Sequence, residues 1–267
     1  MRTRPGVPVA IVSILLAAML AGCSEELRST PATGAEAGLP QGAAPFELDP
    51  ADFTPEIDNP YWPMEIGRRW TYHEVDEEGK TVEVVVVVTT ETKELANGIT
   101  ARVVRDAVTE DGELIEDTKD WYAQDSGGNV WYMGEDTAEF EDGKVTTKAG
   151  SWEAGVDGAL PGIIMPAQPS PGMRYRQEYY EGKAEDNGEV LSVNEMAEVP
   201  YGWFDEVLLT KDTITLEPKV LEFKLYAPGV GPVLVFGVSG GGGREELVSL
   251  DRAPASAGIG PLGSPNL

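Results

Sequence analysis

Two short motifs in this sequence have the form of catalytic signatures. Gly237-Val238-Ser239-Gly240-Gly241 fits the G-x-S-x-G pattern of a nucleophilic serine and follows the strand-like run VLVF. That motif needs a helix after the serine, then an acid and a histidine later in the chain. Here more glycines and a short strand follow, and the single histidine, His73, lies far upstream, so the segment reads as a hairpin loop. Asp125-Ser126-Gly127 has the D-[ST]-G form of aspartic proteases, whose two carboxylates share a proton at close range. No second copy exists, and the triplet falls where a turn is expected. His73 alone cannot build a zinc site of the usual histidine and cysteine kind.

Carboxylates are more plentiful. Asp106, Glu110, Asp111, Glu113, Glu116, Asp117 and Asp120 crowd one strand pair, and Glu135, Asp136, Glu139, Glu141 and Asp142 the next. Such hard oxygen ligands suit calcium, although neither cluster has the spacing of an EF-hand loop. A solvated acidic face, which also discourages edge-to-edge pairing, is the first reading and calcium binding the functional alternative. Acids also neighbour aromatics at Asp120-Trp121-Tyr122, Trp152-Glu153 and Glu178-Tyr179-Tyr180. Cleaving a sugar would take two carboxylates at a defined separation across a bond, which no spacing in a sequence supplies. Strand alternation sends neighbouring side chains to opposite faces, so these aromatics are packing first and a ligand wall second. No catalytic residue, metal ligand or cofactor is assigned, and the chain is expected not to be an enzyme.

The elements that would position these groups are strands. NPYWPMEIGRRWTYHEV, which supplies turn residues and then an aromatic alternation, and TVEVVVVVTTETKE, separated by DEEGK, read as a hairpin. Val82, Val84, Val86 and Val88 lie on one face and further valines on the other, so the strand centre is buried on both sides. The pattern recurs in GITARVVRDAVTE, ELIEDTKDWYAQD, NVWYMGEDTAEFE and KVTTKAG, then in MRYRQEYY, NGEVLSVN, DEVLLTKD, VLEFKLYA, GPVLVFG and EELVSL. About ten short strands and no long helix predict an all-β antiparallel meander: a curved sheet, half-barrel or barrel. One stretch, residues 150–172, breaks the rhythm. It is too long for a hairpin turn, and its glycines and prolines oppose a helix. It is expected to be a long apolar irregular segment that packs across the sheet or covers a cavity, with Trp152, Leu160, Ile163, Ile164 and Met165 as ligand-binding candidates. Trp121, Trp131 and Tyr179 are secondary ones.

At the amino terminus, Arg2 and Arg4 precede an apolar run from Val7 to Ala21 that ends just before Cys23, the single cysteine. This is the pattern of a secretory signal, and its apolar run is shorter than the roughly 20 residues a spanning helix needs. Leu20-Ala21-Gly22-Cys23 resembles the bacterial lipobox, which implies that the Cys23 thiol is acylated, with a palmitate-type chain, after cleavage of residues 1–22. Two or three acyl chains on one residue would give stable anchoring on the outer side of a bacterial membrane, in the cell envelope. Residues 24–47 are rich in Ala, Gly, Pro, Ser and Thr and read as a flexible tether with a span of roughly 25–30 Å. A single β domain is expected over 48–252 and a disordered tail over 253–267. The formal net charge of −26 excludes nucleic acid as a partner and opposes lying flat on an anionic leaflet.

Glu65-Ile66-Gly67 with Trp70 and Tyr72, and later Tyr226-Ala227-Pro228-Gly229-Val230-Gly231, resemble an opening strand and a late turn of uncharacterised bacterial secreted β-sheet proteins. Their wider shape is similar to the curved half-barrels of LolA-, LolB- and LppX-like carriers. The resemblance implies a curved sheet and transfers no site. The expectation is a membrane-anchored lipoprotein whose non-enzymatic β domain binds an apolar small molecule or lipid. The alternative is an envelope interaction module that binds calcium or a basic partner through an acidic face.

Overall fold

The structure, a computed structural model, describes residues 38–75, 81–240 and 243–267. The signal, Cys23 and the first part of the tether lie outside the described residues. In chain order the strands are β1 (Phe53–Thr54), β2 (Arg68–Val75), β3 (Thr81–Glu94), β4 (Thr100–Glu110), β5 (Glu113–Asp125), β6 (Val130–Glu141), β7 (Lys144–Thr147), β8 (Trp152–Glu153), β9 (Leu160–Met165), β10 (Arg174–Tyr180), β11 (Ala184–Val199), β12 (Gly202–Ile214), β13 (Leu221–Ala227), β14 (Gly231–Ser239) and β15 (Arg244–Arg252). Every pairing is antiparallel.

Strands β2–β6 and β9–β15 form a twelve-stranded closed barrel. Closure comes from β15, which pairs with β2 from Arg244↔Val75 to Arg252↔Arg68, and from β9, which pairs with β6 at Trp131↔Ile163. A closed barrel leaves no long bare edge, which satisfies the hydrogen-bonding demand of these valine-rich strands without a second sheet. The expected all-β meander is therefore present as a full barrel. Strand β1 adds to β5, and β7 and β8 add to β6. Asp111-Gly112 and Asp142-Gly143 turn the chain with both residues at positive φ, as tight hairpins with right-handed strand twist require.

The segment expected to be irregular is a stave of the wall. Residues 160–165 form β9 between β6 and β10. Gly162, which reads as a helix breaker, permits close approach: a Cβ there would lie 2.3 Å from the carbonyl oxygens of Arg176 and Gln177. Upstream, β8 crosses β6 at Gly134, where φ is +128° and a Cβ would lie 2.3 Å from the Trp152 carbonyl oxygen. Trp152, buried and edge-on to Tyr132 with ring centres 5.5 Å apart, fills the wall there.

One end of the barrel is stopped by residues 57–64. Asn59 is buried, and its side-chain amide donates to the carbonyls of Gly128 and Pro166. Backbone amides of Asp58 and Asn59 donate to Gln124 Oε1. These bonds seat Trp62 against Tyr122 and Tyr226 at 5.7 and 5.6 Å, with Ile57 and Met64 buried beside it.

Residues 42–46 of the expected tether and residues 258–263 of the expected tail dock on the wall, contrary to the expectation of loose chain at these positions. Arg176 is buried and donates to the carbonyls of Gly42 and Ala44 at 2.6 and 2.9 Å, and to that of Pro161. Phe46 lies on Trp131 at 5.4 Å. Arg105, also buried, pairs with Asp117 and donates to the carbonyls of Gly258, Gly260 and Pro261. The Gly263 amide completes the clasp by donating to Asp117 Oδ2 at 2.7 Å. Small, glycine- and proline-rich sequence reads as loose chain, yet it lets carbonyls reach a guanidinium that must be satisfied once buried.

Candidate functional site

Strand alternation makes the barrel interior a single face of twelve strands. Above the stopper lies a cavity of about 220 Å³ whose wall includes Trp62, Trp70, Tyr72, Tyr122 and Tyr226. Hydrogen bonds to backbone fix two of these rings: Trp70 Nε1 donates to the Val230 carbonyl at 2.8 Å, and Tyr72 Oη to that of Pro232 at 3.1 Å. Three carboxylates, Asp106, Asp120 and Glu245, and one cation, Lys224, also line it.

Cross-strand partners share a face, so the pairing extends this carboxylate lining around the barrel. Glu135 stands opposite Asp120, Glu74 opposite Glu245, and Asp212 opposite Glu222. Glu178 stands opposite Asp186, and Glu139 opposite Glu116. Lys224 is already engaged by Asp212 at 3.0 Å, an acceptor that also receives Thr210 and Gln177.

Burial raises the proton affinities of Asp106, Asp120, Glu135, Asp186 and Glu245. Burial, reinforced by the charges of Asp120, Glu245, Glu116 and Asp117, holds the Asp106 carboxyl well above the usual range. Burial likewise pushes Asp120 to about 7 and Glu245 to about 7. Glu135 rises to about 8, through burial and then the charge of Asp120. Asp186 reaches about 6 by burial, against the opposing pull of Lys224. Tyr132 shows the consequence in hydrogen bonds. Its hydroxyl lies 2.8 Å from Asp120 Oδ1 and 2.9 Å from Glu135 Oε2. A phenol has one proton to donate, so the second contact requires a protonated carboxyl as the donor.

Asp106 stands apart because its Oδ1 is buried without a hydrogen-bond partner in the wall of the cavity. Among the described residues no three Asp, Glu, His or Cys side chains converge as a metal ion requires.

No protein-family model matches the chain, and no curated protein matches it. A crystal structure from Parabacteroides distasonis, of a protein described as a candidate lipoprotein, is similar at 12% identity with a TM-score of 0.38. The match covers 72% of this chain and 98% of that one. That likeness is too distant to bear on the fold or the site.

The five candidate residues of the apolar segment do not meet at one cavity. Ile164 lines the lumen. Ile163 and Met165 are fully buried opposite Trp131 and Val130, Leu160 is half-buried opposite Tyr179, and Trp152 packs on Tyr132. Trp121 carries Lys93 over its ring at 4.4 Å, away from the cavity. The acidic clusters divide by alternation: Asp106, Glu116, Asp120, Glu135 and Glu139 face inward. Asp117 pairs with Arg105 and Asp136 with Lys148. Of the two catalytic look-alikes, Asp125 leads into the turn after β5 and Ser239 is the last residue of β14. Asp125 accepts from Asn129 and Trp131, and Ser239 Oγ donates to the Lys219 carbonyl. His73 is exposed and lies 3.8 Å from Glu83. Lys224, Glu245 and Tyr226 escape a sequence reading because local pairing does not say which face of their strands closes onto the lumen, and Glu245 meets Glu74 only through the remote β2. The available signal is a polar side chain at every second position of LEFKLYA, at Glu222, Lys224 and Tyr226.

Proposed function

We propose that this chain is a lipid-anchored, non-enzymatic receptor of the bacterial envelope, held at the outer side of the membrane through acylated Cys23, that binds a small solute in its barrel lumen. The observation that carries the reading is the cavity above the Trp62 stopper: five aromatic rings, held in place by packing and backbone hydrogen bonds, line one cavity together with charged groups. Binding sites combine apolar walls with a few fixed polar groups in this way. The size favours a compact solute over an acyl chain, since about 220 Å³ equals the share of roughly seven waters at about 30 Å³ each. Many acids point into the lumen, which weakens the alternative of an acidic outer face for calcium or a basic partner.

Native mass spectrometry of residues 24–267, recorded before and after a chelator, tests the receptor reading. A bound mass lost on denaturation supports it. Loss of about 40 daltons on chelation, the mass of one calcium ion bound through oxygen ligands, would favour the calcium module instead. Cys23→Ser should move the protein from the membrane to the soluble fraction, and retention on the membrane would defeat the lipid-anchor part.

A further inference from the structure

Resting on the receptor reading, we infer that the luminal solute is a small organic cation, an ammonium compound, with Asp106 as its counter-ion and the aromatic rings as its walls. The unpartnered Asp106 Oδ1 is the first ground. A buried carboxylate oxygen without a donor costs free energy, and Asp106 is one of the residues that line the cavity. Lys224 does not supply the missing charge, because Asp212 and Glu222 hold its ammonium at 3.0 and 3.8 Å.

The wall chemistry is the second ground. Trp and Tyr rings attract a cation through their negative faces, most strongly where water is excluded. Trp62, Trp70, Tyr72, Tyr122 and Tyr226 meet in one cavity with Asp106. A neutral apolar solute would gain from the rings and leave Asp106 bare; an anion would face Asp106, Asp120 and Glu245 together. A compact inorganic ion would leave the rings unused, and the described carboxylates do not converge on one point. The third ground is the approach. Glu74, Glu116, Glu139 and Glu222 lie on the same inner face, toward the end away from the stopper, and are half-buried. Like charges in a low-dielectric channel concentrate ions of the opposite sign.

The test is calorimetric titration of residues 24–267, which contain every described residue, at pH 8. The probes are methylammonium, tetramethylammonium and choline, with 3,3-dimethyl-1-butanol as the uncharged analogue of choline. At least one cation should bind, choline more tightly than the alcohol by roughly tenfold or more. Asp106→Asn, which keeps the shape and removes the carboxyl that would ionise against a bound cation, should abolish that preference while leaving the fold intact by circular dichroism. Equal binding of choline and the alcohol, or a preference that survives Asp106→Asn, overturns the cation inference and leaves the receptor reading standing. No binding of any cation at millimolar concentration also overturns it; native mass spectrometry then decides the receptor reading separately.

Discussion

Arg105 and Asp117 form an ion pair whose two side chains have no solvent exposure, sealed under the C-terminal arm by three backbone carbonyls and one amide. Removing one partner of such a pair leaves a bare buried charge. Arg105→Met is expected to lower stability by about 3–5 kcal/mol, read as a fall in the urea midpoint. The double variant Arg105→Met with Asp117→Leu should recover much of that loss, and proteolysis within 253–267 should accelerate in the single variant.

Arg176 does the same for residues 42–44 without an acid. Arg176→Met strips the donors from the carbonyls of Gly42, Ala44 and Pro161. A cost of about 1–3 kcal/mol is expected, together with new protease cleavage between residues 38 and 47.

The luminal acids set an unusual pH dependence. Asp120, Glu135, Asp186 and Glu245 hold protons more tightly folded than unfolded, with folded values of about 7, 8, 6 and 7. The folded state therefore binds more protons between the unfolded values, about 4, and those folded values. Stability falls as pH rises through this window. Chemical denaturation should give a higher midpoint at pH 5 than at pH 8. Asp120→Asn should raise the midpoint at pH 8 and flatten the slope; a midpoint that climbs from pH 5 to 8 would contradict this.

Gly134→Ala tests the crossing of β8 over β6. The added carbon meets the Trp152 carbonyl at 2.3 Å in a backbone region side chains avoid, so a loss of about 3 kcal/mol or more is expected. Near-ultraviolet circular dichroism should report the displaced Trp152–Tyr132 contact.

Strands with strict alternation and DG turns, such as β3 to β6, were legible because both signals are local. Strand β9 was not, because LPGIIM becomes a stave only through its neighbours, and its glycine serves a close contact that no local pattern encodes. The lumen was hidden for a related reason. Asp106 and Asp120 belong to a run of acids that reads as a wet surface, and only closure of the sheet turns one parity of that run inward. The arms were misjudged because composition reports what a segment can bury by itself, whereas Arg105 and Arg176 lie far away in sequence.

The pairing of β2 with β15 also bears on how the molecule is made. Arg69 and Asp251, bonded at 2.8 and 2.9 Å, are 182 residues apart, so closure is the most non-local event in the chain. Topologies that depend on such contacts fold slowly. Until the last strand arrives, β2 and β15 are open edges that can pair with other chains. Chains cut short within β15 should accordingly aggregate instead of settling into a smaller barrel, and the barrel cannot finish folding until its final residues are available.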